Sequence, residues 1–178
     1  MSPETFEAAL ELAEEHRDYI AIGGGEPTLH PYFWQYLGMA LGTECESIWL
    51  ATNGSVTKTA LRLAQLARRG IIGVALSLDA YHDTIDPLVQ EAFTNGARSR
   101  RGSENDLREI RNVGEKVVAA GRAKDWGWEE DCVCDDLFVT PQGILKQCGC
   151  KRAPTLGTVF DPQLDEYEQG CYKENHAH

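Results

Sequence analysis

The chain of 178 residues carries a formal charge of -11, with 42% hydrophobic and 25% charged residues. That length buries a core in one domain, or one domain with a small appendage, and the composition excludes a disordered chain. The acidity argues against nucleic acid or an anionic membrane as a partner. With neither a membrane-length apolar run nor a basic-then-apolar leader, the expected compartment is the cytoplasm, where the six cysteines serve as reduced thiols or metal ligands rather than disulfides.

Ser2-Pro3-Glu4 reads as a helix start: cap, proline at the first helical position, acid in the first turn. Phe6, Leu10 and Ala13, with Ala9 beside them, continue an apolar stripe to about His16. Tyr19 to Ile22 is a short buried strand that ends in Gly23, Gly24 and Gly25. Three glycines strip every Cβ from the turn, so a ligand can meet main-chain amides and carbonyls directly. The same run also suits a plain βα loop. Glu26 adds a carboxylate at the mouth of the strand, fitted to a ligand that carries an ammonium group, and Pro27 stiffens the next turn.

Pro31 to Leu41 is expected to be helical, with Tyr32, Phe33, Trp34 and Tyr36 packing as core. Ser47 to Ala51 is the next strand, ending in Thr52-Asn53-Gly54, where Asn-Gly favours a sharp turn. Thr57 is an N-cap candidate for a helix to Arg69, with Leu61, Leu63, Leu66 and Ala67 inward and Gly70 closing it. Ile71 to Leu78 is nearly continuous in apolar residues, as a strand covered on both faces requires, and Asp79 follows it. A helix from Asp86-Pro87 to about Phe93 comes next. Strand and helix alternate with short links, which predicts a parallel sheet with polar residues gathered at strand C-termini.

Thr94 to Ser103 is a basic loop that reads as a solvated surface or as a grip for an anionic substrate; Ser103 and Asp106 suggest the cap of a helix through Arg111. Val117 to Ala120 is a candidate strand with Gly121-Arg122-Ala123 at its end. Cys132-Val-Cys134 and Cys148-Gly-Cys150 flank two short strands, Leu137 to Thr140 and Ile144 to Lys146, around a Pro-Gln-Gly turn. Hairpin pairing would bring the four thiolates together as a site for zinc or an iron–sulfur cluster. Cys171 is a further candidate ligand; Cys45 reads as a bystander, and His176 and His178 as inert.

Gly24-Gly25-Glu26-Pro27-Thr28 resembles the methionine-binding motif of radical S-adenosylmethionine enzymes. Ala51-Thr-Asn-Gly54 is similar to the end of that family's third strand, Ser77-Leu-Asp79 to the end of its fourth, and Val118 to Ala123 to a late strand bordering the adenosyl group. Val139 to Val159 is similar to the cysteine-rich extension of the SPASM and twitch branches. The resemblance implies a partial parallel (β/α) barrel over residues 1 to 124 and a cysteine-bearing extension over 125 to 178. It implies S-adenosylmethionine held by Gly24, Gly25, Glu26 and Pro27, with Asn53, Ser77 and Asp79 lining the pocket and Arg122 and Ala123 near the adenosyl moiety. An auxiliary [4Fe-4S] cluster or zinc would sit on Cys132, Cys134, Cys148, Cys150 and Cys171. A peptide or protein substrate, and a flavodoxin or ferredoxin as electron donor, are the partners it implies.

The family's Cys-X3-Cys-X2-Cys loop, which binds the catalytic cluster, does not occur among the six cysteines. It belongs after a strand that would precede the first helix, so the expectation is that this strand and loop are missing and that the chain alone is inactive. The alternative is a non-catalytic relative whose hairpin binds zinc structurally and whose surface binds a partner protein. A third reading makes Asp79, His82 and Asp83 a hydrolytic metal site.

Overall fold

The computed structural model describes residues 1–78, 84–97, 105–111, 136–149, 153–165 and 167. They fall into two compact units, one containing Met1–Glu15 with the described residues of Val117–His178, the other His16–Lys116.

In the larger unit the strands β1 (Tyr19–Ile22), β2 (Ser47–Thr52), β3 (Gly73–Ser77) and β4 (Arg108–Arg111) form a parallel sheet in the order β1-β2-β3-β4. The expected parallel α/β architecture is therefore present. Among the described residues the sheet is open, with β1 and β4 at its edges. A short 3-10 helix (Pro27–Leu29) and α2 (Phe33–Ala40) link β1 to β2, α3 (Thr57–Arg68) links β2 to β3, and α4 (Pro87–Ala97) lies between β3 and β4. Leu37, Leu50, Leu63, Ile72, Val74, Leu76, Val89 and Phe93 are almost fully buried. β3 is buried at Gly73 through Leu76, as a strand covered on both faces must be.

Several local expectations change. Pro27 opens a 3-10 turn, and α2 begins only at Phe33. Of its aromatics, Phe33 and Tyr36 are core, while Tyr32 and Trp34 stay exposed; Trp34 instead carries the Arg62 guanidinium 4.9 Å above its ring. Thr57 is the first residue of α3 rather than its cap, which is Val56 with no side-chain bond. Gly70 does close α3 with φ +69, and a Cβ there would lie 2.8 Å from the Asn105 carbonyl oxygen. That close approach lets Leu107 donate its amide to the Ala67 carbonyl at 3.0 Å, delivering the chain into β4.

The segment expected as a helix from Ser103 through Arg111 is a turn leading into the strand β4 where it is described. β4 pairs with β3 in the register Val74↔Arg108 to Ser77↔Arg111. Asp106 is the reason for the sharp entry. Its Oδ1 accepts from Arg108 Nε at 2.8 Å and from the Arg108 amide at 3.3 Å, and its Oδ2 accepts from Nη2 at 2.6 Å. The carboxylate thus serves as a turn acceptor and as half of a bidentate pair, with both side chains under 10% exposed. Arg108 Nη1 reaches on to the Ala92 carbonyl and ties β4 to α4.

Gly73 is closely crowded in the sheet. A Cβ there would fall 2.4 to 2.7 Å from ring atoms of Trp49, its partner on β2. The indole lies where a side chain would stand.

In the smaller unit, α1 (Pro3–His16) begins where expected, with the Thr5 amide donating to Ser2 Oγ at 3.2 Å. Its buried residues are Phe6, Leu10 and Leu12; Ala13 is only half-buried. β5 (Phe138–Val139) and β6 (Ile144–Lys146) form the expected hairpin, followed by β7 (Thr155–Thr158) and β8 (Asp161–Pro162) in one antiparallel sheet. The hairpin turn is closed by the Gly143 amide on the Thr140 carbonyl at 2.9 Å, with Gly143 at φ +80. Leu145, Cys148 and Val159 are buried there.

Two outcomes are expected. Asp106→Asn should cost about 1.5–3 kcal/mol at neutral pH, the range for hydrogen bonds to charged groups. Hydrogen bonding from Arg108 holds the Asp106 carboxyl below its ordinary range. A depressed folded-state value adds stability above the ordinary carboxylate range, and that stability is lost as pH falls through the folded value. Urea titrations across acid pH should therefore show a shallower acid loss in the variant. Gly73→Ala should cost about 1–3 kcal/mol through overpacking against Trp49, read as a lower denaturant midpoint at unchanged slope.

Candidate functional site

Because β1 to β4 are parallel, their C-terminal ends Ile22, Thr52, Ser77 and Arg111 share one edge of the sheet, where open α/β sheets build their sites. The glycine loop leaves β1 at this edge. A Cβ added to Gly23, Gly24 or Gly25 would meet nothing within 4 Å, and Gly24 has φ +125. The loop thus presents bare backbone to open space, at a conformation side-chain-bearing residues rarely adopt.

Glu26 ends the loop, and its carboxylate is engaged by the protein itself. Oε1 accepts from the Thr28 amide at 3.1 Å, from Thr28 Oγ1 at 2.6 Å and from Thr52 Oγ1 at 2.9 Å. Oε2 accepts from the Asn53 amide at 2.6 Å. The first pair caps the 3-10 helix that Pro27 begins. The second pair crosses to the end of β2. One side chain therefore joins the loop after β1 to the turn after β2, and the larger share of its acceptor capacity is filled without a ligand.

The turn after β2 is built just as closely. The Asn53 side-chain carbonyl accepts from the Ser55 amide at 2.9 Å, and the Gly54 amide donates to Thr52 Oγ1 at 3.1 Å. Gly54 has φ +74, and a Cβ there would press on Leu76, Val89 and Ile85 at 2.9 to 3.3 Å. The turn is thus seated directly on the core between β3 and α4.

Of the residues singled out from sequence, Gly24, Gly25, Glu26, Pro27, Asn53 and Ser77 lie along this one edge, and Glu26 and Asn53 are in direct contact. Asp79, Arg122 and Ala123 lie outside the described residues, as do His82, Asp83, Cys132, Cys134, Cys150 and Cys171. Cys148 is described: it follows β6 as a buried free thiol. Cys45 is also free and donates to the Arg17 carbonyl at 3.7 Å. Among the described residues no cluster of three His, Cys, Asp or Glu side chains could hold a metal ion, and no helix is long and apolar enough to cross a membrane.

Sequence reasoning gave no role of their own to three residues of this edge. Thr28 and Thr52 donate to Glu26; the signal for them was a hydroxyl two residues beyond Glu26 and another closing a strand. Arg111 ends β4 beside Ser77, its exposed guanidinium 3.2 Å from Glu109, and was hidden by the helical reading of that segment.

The glycine loop stands at the C-terminal end of a parallel strand, as expected, and Glu26 latches it to the Asn-Gly turn of the next strand. No curated protein and no solved structure matches the chain. The family model of the radical SAM superfamily matches residues 1–122, more than half of the chain, and the chain belongs to that superfamily.

Proposed function

We propose that the larger unit belongs to a partial (β/α) barrel that holds S-adenosylmethionine at the glycine loop. The observation that carries this is the unobstructed backbone of Gly23 to Gly25 at a sheet edge whose neighbouring turn is fixed by Glu26. Carbonyl oxygens of a side-chain-free loop suit an ammonium group, and a cradle with nothing within 4 Å of an added Cβ has room for the methionine end of the ligand. Asn53 and Ser77 would line the pocket from the neighbouring strands, together with Asp79.

Bound S-adenosylmethionine supplies, on reduction, the radical chemistry of the superfamily. The part of these residues is to hold and orient it. Glu26, already bonded to four protein donors, sets the loop's position and offers the ligand at most the remaining capacity of Oε2. Residues 125 to 178 are read as a cysteine-rich extension of the SPASM or twitch kind, with Cys132, Cys134, Cys148, Cys150 and Cys171 as the ligands of an auxiliary cluster or zinc. A peptide or protein is the substrate class we favour.

Gly25→Val is the direct test. A Cβ there meets no protein atom within 4 Å, so the fold should survive with a melting temperature close to that of the wild type. Binding of S-adenosylmethionine, measured by isothermal titration calorimetry, should weaken at least about tenfold, as one misplaced contact in a positioned site does. Unchanged affinity would remove the glycine loop from the site. For the extension, anaerobic reconstitution with iron and sulfide should give charge-transfer absorption that is lost when Cys132, Cys134, Cys148 and Cys150 are changed to Ala. Stoichiometric zinc without iron would favour a structural hairpin and a binding role instead.

A further inference from the structure

Thr52 is one of two polar residues among the buried ones described, at 2% exposure. Its hydroxyl stands between two groups of opposite kind. The Gly54 amide, 3.1 Å away, can only donate, so it takes a lone pair of the oxygen. The Glu26 carboxylate oxygen, 2.9 Å away on the other side, accepts the hydroxyl's single proton. The direction of both bonds is thereby set. A chain of hydrogen bonds runs from the Gly54 amide through Thr52 to Glu26, and from Glu26 to the Asn53 amide at 2.6 Å and to Thr28.

The chain closes on itself. Thr52, Asn53 and Gly54 are consecutive, and two of them reach the same carboxylate while the third reaches it through the first. The β-branched side chain restricts the rotamers open to the hydroxyl in a strand. Both neighbours lose a partner if the hydroxyl is removed, and a buried amide left unsatisfied is costly.

We infer that Thr52 is a positioning residue for the pocket: its hydroxyl couples the turn after β2 to the glycine loop through Glu26. It touches no ligand itself. The coupling rests on the hydrogen bonds alone, whereas its effect on binding rests on the reading of the glycine loop as the S-adenosylmethionine cradle.

The test uses the full chain with Thr52→Val, which keeps the shape and deletes the hydroxyl, and Thr52→Ser, which keeps the hydroxyl. Amide hydrogen exchange at Asn53 and Gly54 is followed by NMR beside calorimetric binding of S-adenosylmethionine. In Thr52→Val both amides should exchange about tenfold faster, the scale of one hydrogen bond to a charged network, and affinity should fall by a similar factor. Thr52→Ser should restore both. Faster exchange at Gly54 with Asn53 unchanged would overturn the coupling, because Glu26 would then hold its turn without Thr52. Faster exchange at both with undiminished affinity would overturn the positioning role. If the wild-type chain binds no S-adenosylmethionine, the cradle reading and the positioning role fall together, while the exchange pattern still decides the coupling. Should Thr52→Val fail to fold, Thr52→Ala removes the same hydroxyl without added bulk and is read by the same criteria.

Discussion

A single carboxylate organises the functional edge of this protein. Glu26 accepts four hydrogen bonds, two from the turn it begins and two from the end of the adjacent strand. Parallel strands run their C-terminal ends to one edge but impose no distance between the loops that leave them. Glu26 supplies that distance. The turn it grips is held from below by Gly54, where only a hydrogen fits against Leu76, Val89 and Ile85. The edge is therefore built on the core by one missing side chain and joined across its top by one charged one.

The same division of labour recurs in the sheet. Where two elements crowd together, a glycine stands: Gly73 under the Trp49 indole, and Gly70 against the Asn105 backbone. Where a chain must turn sharply between elements, an acid gathers the donors: Asp106 collects Arg108 and its amide as Glu26 collects Thr28 and Asn53. Both carboxylates bond a neighbour two residues on, and both then bind the next element, Asp106 through the reach of Arg108 to Ala92. Polar side chains at strand ends are thus part of the architecture as well as of the site.

Much of this was legible in the sequence because the signals were strong. Short apolar strands bounded by glycine or Asn-Gly marked β1 to β3, and their alternation with helices gave the parallel sheet. The hairpin of β5 and β6 followed from Pro-Gln-Gly between two short apolar runs. β4 was missed because Arg-Glu-Ile-Arg carries no apolar run; its strand character comes from pairing with β3 and from Asp106, neither of which periodicity reports. At the site, Gly24, Gly25, Glu26 and Asn53 were visible as motif residues. The engagement of Glu26 by Thr52 was not, because it depends on the register that sets the end of β2 beside the end of β1.

The glycine loop also matters for chain entropy. Gly23, Gly24 and Gly25 have no side chains to pack and no protein atom waiting where a Cβ would be. Their order comes from the ends: the β1 ladder on one side and the Glu26 latch on the other. Fixing a residue's backbone costs about 1–2 kcal/mol, and glycine stands at the upper end of that scale. A ligand that settles on this loop must offset whatever freedom the three residues retain between their anchors. The tighter the latch, the less of the ligand's contact energy goes to ordering the loop, so affinity here is set in part by hydrogen bonds the ligand never makes.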